Sequence, residues 1–237
     1  MDLGGKHALD LTVPISDSQL ITIKIKVPAL RAQGLNLLPW ASSYVLASLL
    51  HKLPIMPPLA EASRIPILEL GAGIGLVGLV GSMLWRQRAV LTDLEPIVPG
   101  LTANIELNAA LLRQYGGSAT AGTLDWDTPD TLTLHGKSTF MPNEVKANVI
   151  LAADTVYSEE HPRMITQTVA RWLAPGGTLV ITYPLRVAYL DQIRDLWEKL
   201  EGAGLESTAE GKQEASEVGG GEWDDERLCE WSVWRWR

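Results

Sequence analysis

The strongest constraint on this chain is a string of glycines set between two differently patterned apolar segments. Ile65 to Leu70 is a short apolar run carrying one acid, Glu69, and Gly71-Ala72-Gly73-Ile74-Gly75 follows it directly. Beyond the glycines, Leu76, Leu79, Val80, Met83 and Leu84 stand at the i, i+3, i+4, i+7, i+8 spacing of an amphipathic helix. The glycines therefore join a buried-type strand to a helix. Such a turn presents unpaired backbone N–H groups and the positive end of a helix dipole at the carboxyl edge of a sheet. Glycine suits it because the backbone must turn tightly and a ligand must approach closely. Two ligand fingerprints overlap here. Gly71-x-Gly73-x-Gly75 suits a nucleoside-type cofactor, whereas Gly73-x-Gly75-x-x-Gly78 matches the dinucleotide pattern letter for letter. A tight turn that merely packs helix on sheet also uses small residues, so the string alone leaves three readings open.

The flanking pattern supplies the architecture. Ile21, Ile23, Ile25 and Val27 alternate with Thr22, Lys24 and Lys26, a strand with one wet face, and Leu11-Thr12-Val13 ahead of Ser16-Asp17-Ser18 is its hairpin partner. Pro39 to Leu50 has helical spacing. Further strands are read at Ala89–Thr92, Ala119–Trp126, Ala147–Ala153 and Thr178–Thr182, with helices at Pro96–Leu112 and His161–Leu173. Strands alternating with helices at this spacing imply a mostly parallel sheet covered on both faces. The tail breaks the rhythm: Leu205–Thr208 and Leu228–Arg237 read as two strands with no helix between them. The segments Asp127–Val145 and Ala209–Asp225 are expected to be loops, the second a mobile one rich in Gly, Glu and Ser. No domain boundary is evident, so residues 1–237 are expected to form one domain.

Asp93 narrows the ligand. It ends the strand after the glycine loop, where a carboxylate accepts both ribose hydroxyl protons. That fits NAD and S-adenosylmethionine equally and disfavours NADP, whose 2′-phosphate it would repel; an Asp after a strand is also a common helix cap. Composition removes other classes. With 46% hydrophobic residues the chain can build a full core, and a formal charge of −8 makes it a poor ligand for nucleic-acid phosphates. The single cysteine, Cys229, excludes an internal disulfide and a cysteine zinc cluster, and the four scattered histidines show no metal-ligand spacing. The N-terminus lacks a signal-peptide layout and no apolar run reaches membrane-spanning length, so a cytoplasmic protein without membrane contact is expected.

These residues resemble a known family. Glu69-Leu70-Gly71-Ala72-Gly73-Ile74-Gly75-Leu76-Val77-Gly78 is similar to motif I of the class I, seven-β-strand methyltransferases that use S-adenosylmethionine. Leu173-Ala174-Pro175-Gly176-Gly177-Thr178 resembles the turn before their fifth strand. Three features are more specific. Asp154-Thr155-Val156-Tyr157 resembles the DxxY motif of the methyltransferase-like protein-lysine methyltransferases, Trp40 their N-terminal cofactor-lid tryptophan, and Leu124-Asp125-Trp126 their adenine-side tryptophan. Asn104-Ile105-x-x-Asn108 matches as well, and the likeness runs from about Ile21 to Val233. Within the family the chain resembles the methyltransferase-like 21 group, in particular a fungal-type branch acting on translation elongation factor 1-alpha.

The resemblance implies a Rossmann-like α/β fold: a seven-stranded, mostly parallel sheet with an antiparallel last strand, helices on both faces and an N-terminal β-hairpin. It implies S-adenosylmethionine as cofactor, held by Gly71, Ala72 and Gly73 at the methionine and ribose, Asp93 on the ribose hydroxyls, Trp126 at the adenine, Ala153 before DxxY and Trp40 over the methionine end. Glu69 is a lesser candidate for the cofactor's amino group. Asp154 and Tyr157 are the implied catalytic pair, orienting a lysine amine of a protein substrate, with Tyr157 and Tyr183 offering aromatic faces to the amine. No metal is implied, and a monomer is expected. The competing readings are an NAD-dependent oxidoreductase, which leaves DxxY, Trp40 and Trp126 unexplained, a small-molecule methyltransferase, and a non-catalytic binding module. Trp231, Trp234 and Trp236 are read as packing on the sheet and Cys229 as inert.

Overall fold

The structure, a computed structural model, describes residues 8–26, 41–55, 64–135, 138–215 and 227–237. Strands β1 (Ala8–Ser16) and β2 (Gln19–Lys26) form the antiparallel N-terminal hairpin. Its alternation has a physical basis: Ile21, Ile23 and Ile25 are buried opposite Leu11 and Val13, while Thr22, Lys24 and Lys26 face water. After α1 (Ala41–Leu49) come β3 (Arg64–Leu70), α2 (Leu76–Trp85), β4 (Arg88–Asp93), α3 (Val98–Leu107), α4 (Ala109–Gln114) and β5 (Ser118–Thr123). Two short strands, β6 (Leu132–Leu134) and β7 (Thr139–Phe140), precede β8 (Lys146–Ala153), α5 (His161–Trp172), β9 (Leu173–Pro184), α6 (Leu190–Gly202), β10 (Leu205–Glu214) and β11 (Leu228–Trp236).

The main sheet has the order β10-β11-β9-β8-β3-β4-β5-β6-β7. Strands β3, β4, β5, β8 and β9 run parallel, and β11 is inserted antiparallel between β9 and β10. The expected mixed α/β fold with a mostly parallel sheet is therefore present. Chain order runs outward in one direction from β3 to β5 and then restarts on the other side of β3 with β8. The carboxyl ends of β3 and β8 thus flank a topological switch point, where parallel α/β sheets open a crevice.

Side chains of each central strand alternate between two cores. Ile67, Leu91, Val149 and Leu151 pack toward the hairpin and α1–α3, whereas Leu68, Leu70, Val90 and Ile150 pack toward α5 and α6. Burial on both faces explains why β3 reads as a continuous apolar run. Among the described residues, no helix is long and apolar enough to cross a membrane.

The sheet exceeds the expected seven strands because the segment read as the loop Asp127–Val145 contains β6 and β7. Leu132 is buried, and the β6 residues Thr133 and Leu134 pair with Thr123 and Gly122 at the β5 edge. The second loop also begins later than expected: β10 continues to Glu214, so residues 209–214 are strand rather than mobile insertion. Gly211 misled the pattern. It lies opposite Trp231, and a Cβ there would come within 2.6 Å of the Trp231 ring, so this glycine seats a cross-strand aromatic side chain. The tail tryptophans pack as expected: Trp234 is fully buried edge-on to Trp197 of α6, with ring centroids 4.7 Å apart, and Trp236 donates to the Ala174 carbonyl. Cys229 is buried.

Candidate active site

Every functional candidate within the described residues lies at the carboxyl edge of the parallel strands; Trp40 lies outside those residues. Gly71, Gly73 and Gly75 all take left-handed φ values of 61°, 54° and 87°. At Gly73 this conformation is coupled to open space among the described residues, none of which has an atom within 4 Å of where a Cβ would sit. Ala72 N–H donates to the Thr92 carbonyl (2.9 Å), and Gly73 N–H donates to Asp93 Oδ2 (2.7 Å). Asp93 Oδ1 accepts a second bond from its neighbour Leu94 N–H (2.8 Å), so this carboxylate ties the glycine turn to the end of β4. Burial pushes the Asp93 carboxyl up to about 6 against the opposing pull of both donors.

Glu69 lies beneath the turn rather than on it. Its Oε2 accepts the Gly78 N–H at 2.9 Å, and its backbone carbonyl accepts the Thr92 hydroxyl at 2.6 Å. Burial, opposed by the Gly78 bond and reinforced by Asp93, raises its carboxyl to about 8. Gly78, the third glycine of the dinucleotide-type spacing, is accounted for by this neighbour: a Cβ there would collide with Glu69 Oε2 and come within 2.8 Å of Leu91. Gly78→Ala should therefore destabilise the fold by about 1–3 kcal/mol through overpacking. A thermal melt should show a fall of roughly 2–4 °C per kcal/mol, and an unchanged midpoint would contradict the packing argument.

The DxxY segment adjoins the same turn. A Cβ on Gly71 would meet Trp126 Cζ2 at 2.9 Å and Thr155 Cγ2 at 3.3 Å, so the tryptophan after β5 and the threonine of DxxY both press on Gly71. Ala153, half-buried, ends β8 just before the motif. Asp154 has φ 56°, unusual for a non-glycine residue, and donates its N–H to the Thr182 carbonyl at 2.9 Å. Both of its carboxylate oxygens are taken by the Arg186 guanidinium, at 2.9 and 3.3 Å. Tyr157 is half exposed; burial of its hydroxyl, then the charges of Asp93 and Asp154, hold it above the usual phenol value and therefore protonated. Its ring stands edge-on to His161 (4.2 Å between centroids), and His161 stands edge-on to Trp126 (5.6 Å). Burial lowers the His161 pKa, leaving a neutral ring whose Nδ1 accepts the Tyr157 N–H.

Tyr183 does not offer a face to this corner. It is fully buried, donating to Glu230 Oε2 (3.2 Å) and accepting from Trp197 Nε1 (2.6 Å), so the expectation of an amine contact there is corrected. Three residues that the sequence pattern did not single out belong to the site's edge: Leu94, exposed beside Asp93; His161, joining Tyr157 to Trp126; and Arg186. Leu94 and Arg186 each lie just past a parallel strand, a position that strand polarity alone brings to the crevice. Asn104 on α3 and Asn108 at its C-terminal cap explain their shared spacing. Asn104 donates to the Ile74 carbonyl of the glycine turn (3.1 Å) and accepts Lys26 N–H (2.8 Å), while Asn108 brackets Lys24 by accepting its N–H (3.0 Å) and donating to its carbonyl (2.7 Å). The hairpin is thereby bolted to the turn.

These features suit an adenosine-bearing group: space over Gly73 that no other described residue fills, a carboxylate at the end of β4, apolar Leu94 and Trp126, and a buried Thr155 hydroxyl without a hydrogen-bond partner among the described residues. The fold agrees with that chemistry. It superimposes on the glycopeptide N-methyltransferase MtfA complexed with S-adenosyl-L-homocysteine with a TM-score of 0.55, at 13% identity and covering 84% of this chain and 90% of that one. Magnesium protoporphyrin IX methyltransferase from Synechocystis PCC 6803 with bound S-adenosylmethionine gives 0.52 at 17% identity, covering 80% and 75%. The architecture is that of the class I S-adenosylmethionine-dependent methyltransferases.

Within that class, residues 21–194 match the lysine methyltransferase family, and the chain belongs to it. Relatives include the protein-lysine N-methyltransferase rrg1 of Schizosaccharomyces pombe, 28% identical over 91% of this chain and 67% of its own length. The protein-lysine N-methyltransferase EFM2 of Saccharomyces cerevisiae is 33% identical over 71% of this chain. The protein N-lysine methyltransferase METTL21A of Danio rerio is 35% identical over 48%. The chain covers 41% of the EFM2 protein and 47% of the zebrafish one.

Proposed function

We propose that this protein transfers a methyl group from S-adenosylmethionine to a lysine amine of a protein substrate in the cytoplasm, with translation elongation factor 1-alpha as the acceptor. The observation that carries the reading is the closeness of Thr155, inside DxxY, to Gly71, inside the cofactor turn: a Cβ on that glycine would come within 3.3 Å of Thr155 Cγ2. Donor and acceptor motifs share one wall. The family membership supports the reaction, and the sequence resemblance to a fungal elongation-factor branch supports the acceptor. A formal charge of −8 favours a basic protein surface as partner.

When bound, S-adenosylmethionine supplies an electrophilic methyl on a sulfonium sulfur. The residues of the chain then have to align and desolvate the amine. Gly71, Ala72 and Gly73 would back the methionine and ribose, Asp93 would accept the ribose hydroxyls, Trp126 would border the adenine and Ala153 would lie against the cofactor before DxxY. A free lysine with a pKa near 10.4 is only ~0.04% neutral at pH 7, so the amine has to shed a proton before its lone pair can form the N–C bond as the S–C bond breaks. Asp154 orients the nitrogen, and the half-exposed face of Tyr157 shields it from water while tolerating its charge. Alignment of this kind supplies about 7–11 kcal/mol of a displacement barrier.

Asp93 makes cofactor binding sensitive to pH. Its carboxyl lies near 6, above the ordinary Asp value, and only the ionised form accepts both ribose hydroxyls. Below about pH 6 affinity should fall toward tenfold per pH unit, measured by calorimetry between pH 5 and 8; a flat profile would remove Asp93 from the ribose. The stability term has the opposite sign. The folded state keeps the Asp93 proton between about pH 4 and 6, so this group's contribution to stability declines as pH rises through that window.

The acceptor is tested by incubating the protein and radiolabelled S-adenosylmethionine with budding yeast extract. A labelled band that immunodepletion of elongation factor 1-alpha removes supports the reading. A band that survives depletion excludes that acceptor.

A further inference from the structure

We infer that His161 is a positioning residue for the transfer: its ring stands against both Tyr157 of DxxY and the adenine-side Trp126, so that a cofactor seated on Trp126 also sets the acceptor side. This rests on the function proposed above, and His161 needs no contact with the reacting atoms. Tyr157 is 50% exposed on the stretch between β8 and α5, where a side chain half in water has several orientations open to it. Among the described residues its one ring contact is with His161, edge-on, with 4.2 Å between centroids and the planes at 85°. Trp126 likewise has one ring contact, with the same imidazole, at 5.6 Å and 84°. The imidazole is therefore the shared neighbour of one aromatic side chain on the donor side and one on the acceptor side.

The mount of this ring explains why it can act as a prop. His161 opens α5, whose Ile165, Val169 and Trp172 are fully buried in the core on that face of the sheet, so the ring projects from a fixed base. The same helix holds the segment after Trp126 in three places. Arg163 pairs with Asp127 (3.8 Å), Arg171 pairs with Asp130 (2.6 Å), and Trp172 Nε1 donates to the Pro129 carbonyl (2.7 Å). The DxxY stretch runs into the start of α5, and the Tyr157 N–H donates to His161 Nδ1 at 3.4 Å, a long bond open to water. Two loops that reach the crevice from different strands are thus referenced to one helix end. A shift of Trp126 reaches Tyr157 through the ring that both touch.

The test reads the maximal rate of methyl-lysine formation across a dilution series of yeast extract at saturating S-adenosylmethionine, with cofactor affinity from calorimetry. An edge-on aromatic pair is worth a factor of about 2 to 12, so His161→Ala should lower the maximal rate at least about threefold. His161→Phe keeps a ring and gives up only an acceptor nitrogen whose N–H partner water can serve, so it should retain at least about half the wild-type rate. A smaller loss in the alanine variant, or a phenylalanine variant below that half, overturns the inference. A residue that only stabilised the fold would pass both comparisons, so the coupling is read from a double-mutant cycle with Trp126→Leu. Trp126 is assigned to the adenine, so without coupling its loss would be confined to cofactor affinity. With coupling, Trp126→Leu also lowers the saturated rate at least about threefold when His161 is present, and less than about twofold once His161 is alanine. Losses that multiply, or a saturated rate that Trp126→Leu does not lower in the presence of His161, overturn the inference. Where His161→Ala melts below the assay temperature, His161→Asn replaces it under the same limits, keeping an acceptor for the Tyr157 N–H and losing the ring. A wild-type protein that binds cofactor yet forms no methyl-lysine overturns the proposed function itself, and is told apart because it shows before any variant is compared.

Discussion

Asp154→Asn is expected to cut methyl transfer at least about 100-fold while leaving S-adenosylmethionine affinity within about threefold of wild type. The amide has the shape of the carboxylate, but it replaces one acceptor oxygen with an NH₂ that faces the Arg186 guanidinium at the position of a 2.9 or 3.3 Å bond. The acceptor nitrogen then loses its orienting group, and the Arg186 guanidinium loses the carboxylate it clasps. Breaking one partner of a buried pair costs about 3–5 kcal/mol, and the 15% exposure of Arg186 places this case at or below the lower end. A lower melting temperature should therefore accompany the lost activity. The glycine turn does not depend on this side chain, because Gly73 is held by Asp93 and Ala72 by Thr92. If affinity and turnover fell together, Asp154 would be part of the cofactor site and not of the acceptor site.

The complementary substitution, Asp93→Ala, is expected to weaken cofactor binding at least about 100-fold, since each hydrogen bond to a charged group contributes about 1.5–3 kcal/mol and the ribose would lose two. The variant also frees the N–H groups of Gly73 and Leu94, which Asp93 holds at 2.7 and 2.8 Å, so the turn keeps its Ala72–Thr92 bond to β4 and loses the side-chain tie beside it. Removing Asp93 also relieves the charge that helps raise the Glu69 carboxyl, a small compensation to stability. Calorimetric titration with S-adenosylmethionine checks the effect, and near-wild-type affinity would exclude this carboxylate from the ribose. Together the two substitutions should separate donor from acceptor: one silences binding, the other silences transfer alone.

Strand polarity explains why much of the candidate site was legible in the sequence. Once Ile65–Leu70 and Ala147–Ala153 are read as parallel strands, the residues following them, Gly71–Gly73 and Asp154–Tyr157, must emerge at one edge of the sheet. Asp93 and Trp126 emerge there for the same reason. The misses have physical causes of their own. Arg186 and His161 are single residues whose partners lie 32 and 4 positions away, and no periodicity marks such pairings. Gly211 signals a loop in sequence, yet in the sheet it is the empty place that a tryptophan ring fills. Tyr183 followed the strand pattern correctly, but its neighbours Trp197 and Glu230 claim its hydroxyl from elements remote in sequence. Leu132–Leu134 is too short for alternation to separate strand from loop, and its pairing to β5 decides the matter.

Delivery of a methyl group to a lysine side chain at this corner is tested most directly by identifying the labelled amino acid. Protein from yeast extract, labelled by the wild-type enzyme and radioactive S-adenosylmethionine, is hydrolysed in acid and its amino acids are separated. Label is expected in methylated lysine, and none when Asp154→Asn replaces the wild type. Label in another amino acid, or only in small molecules, would contradict it.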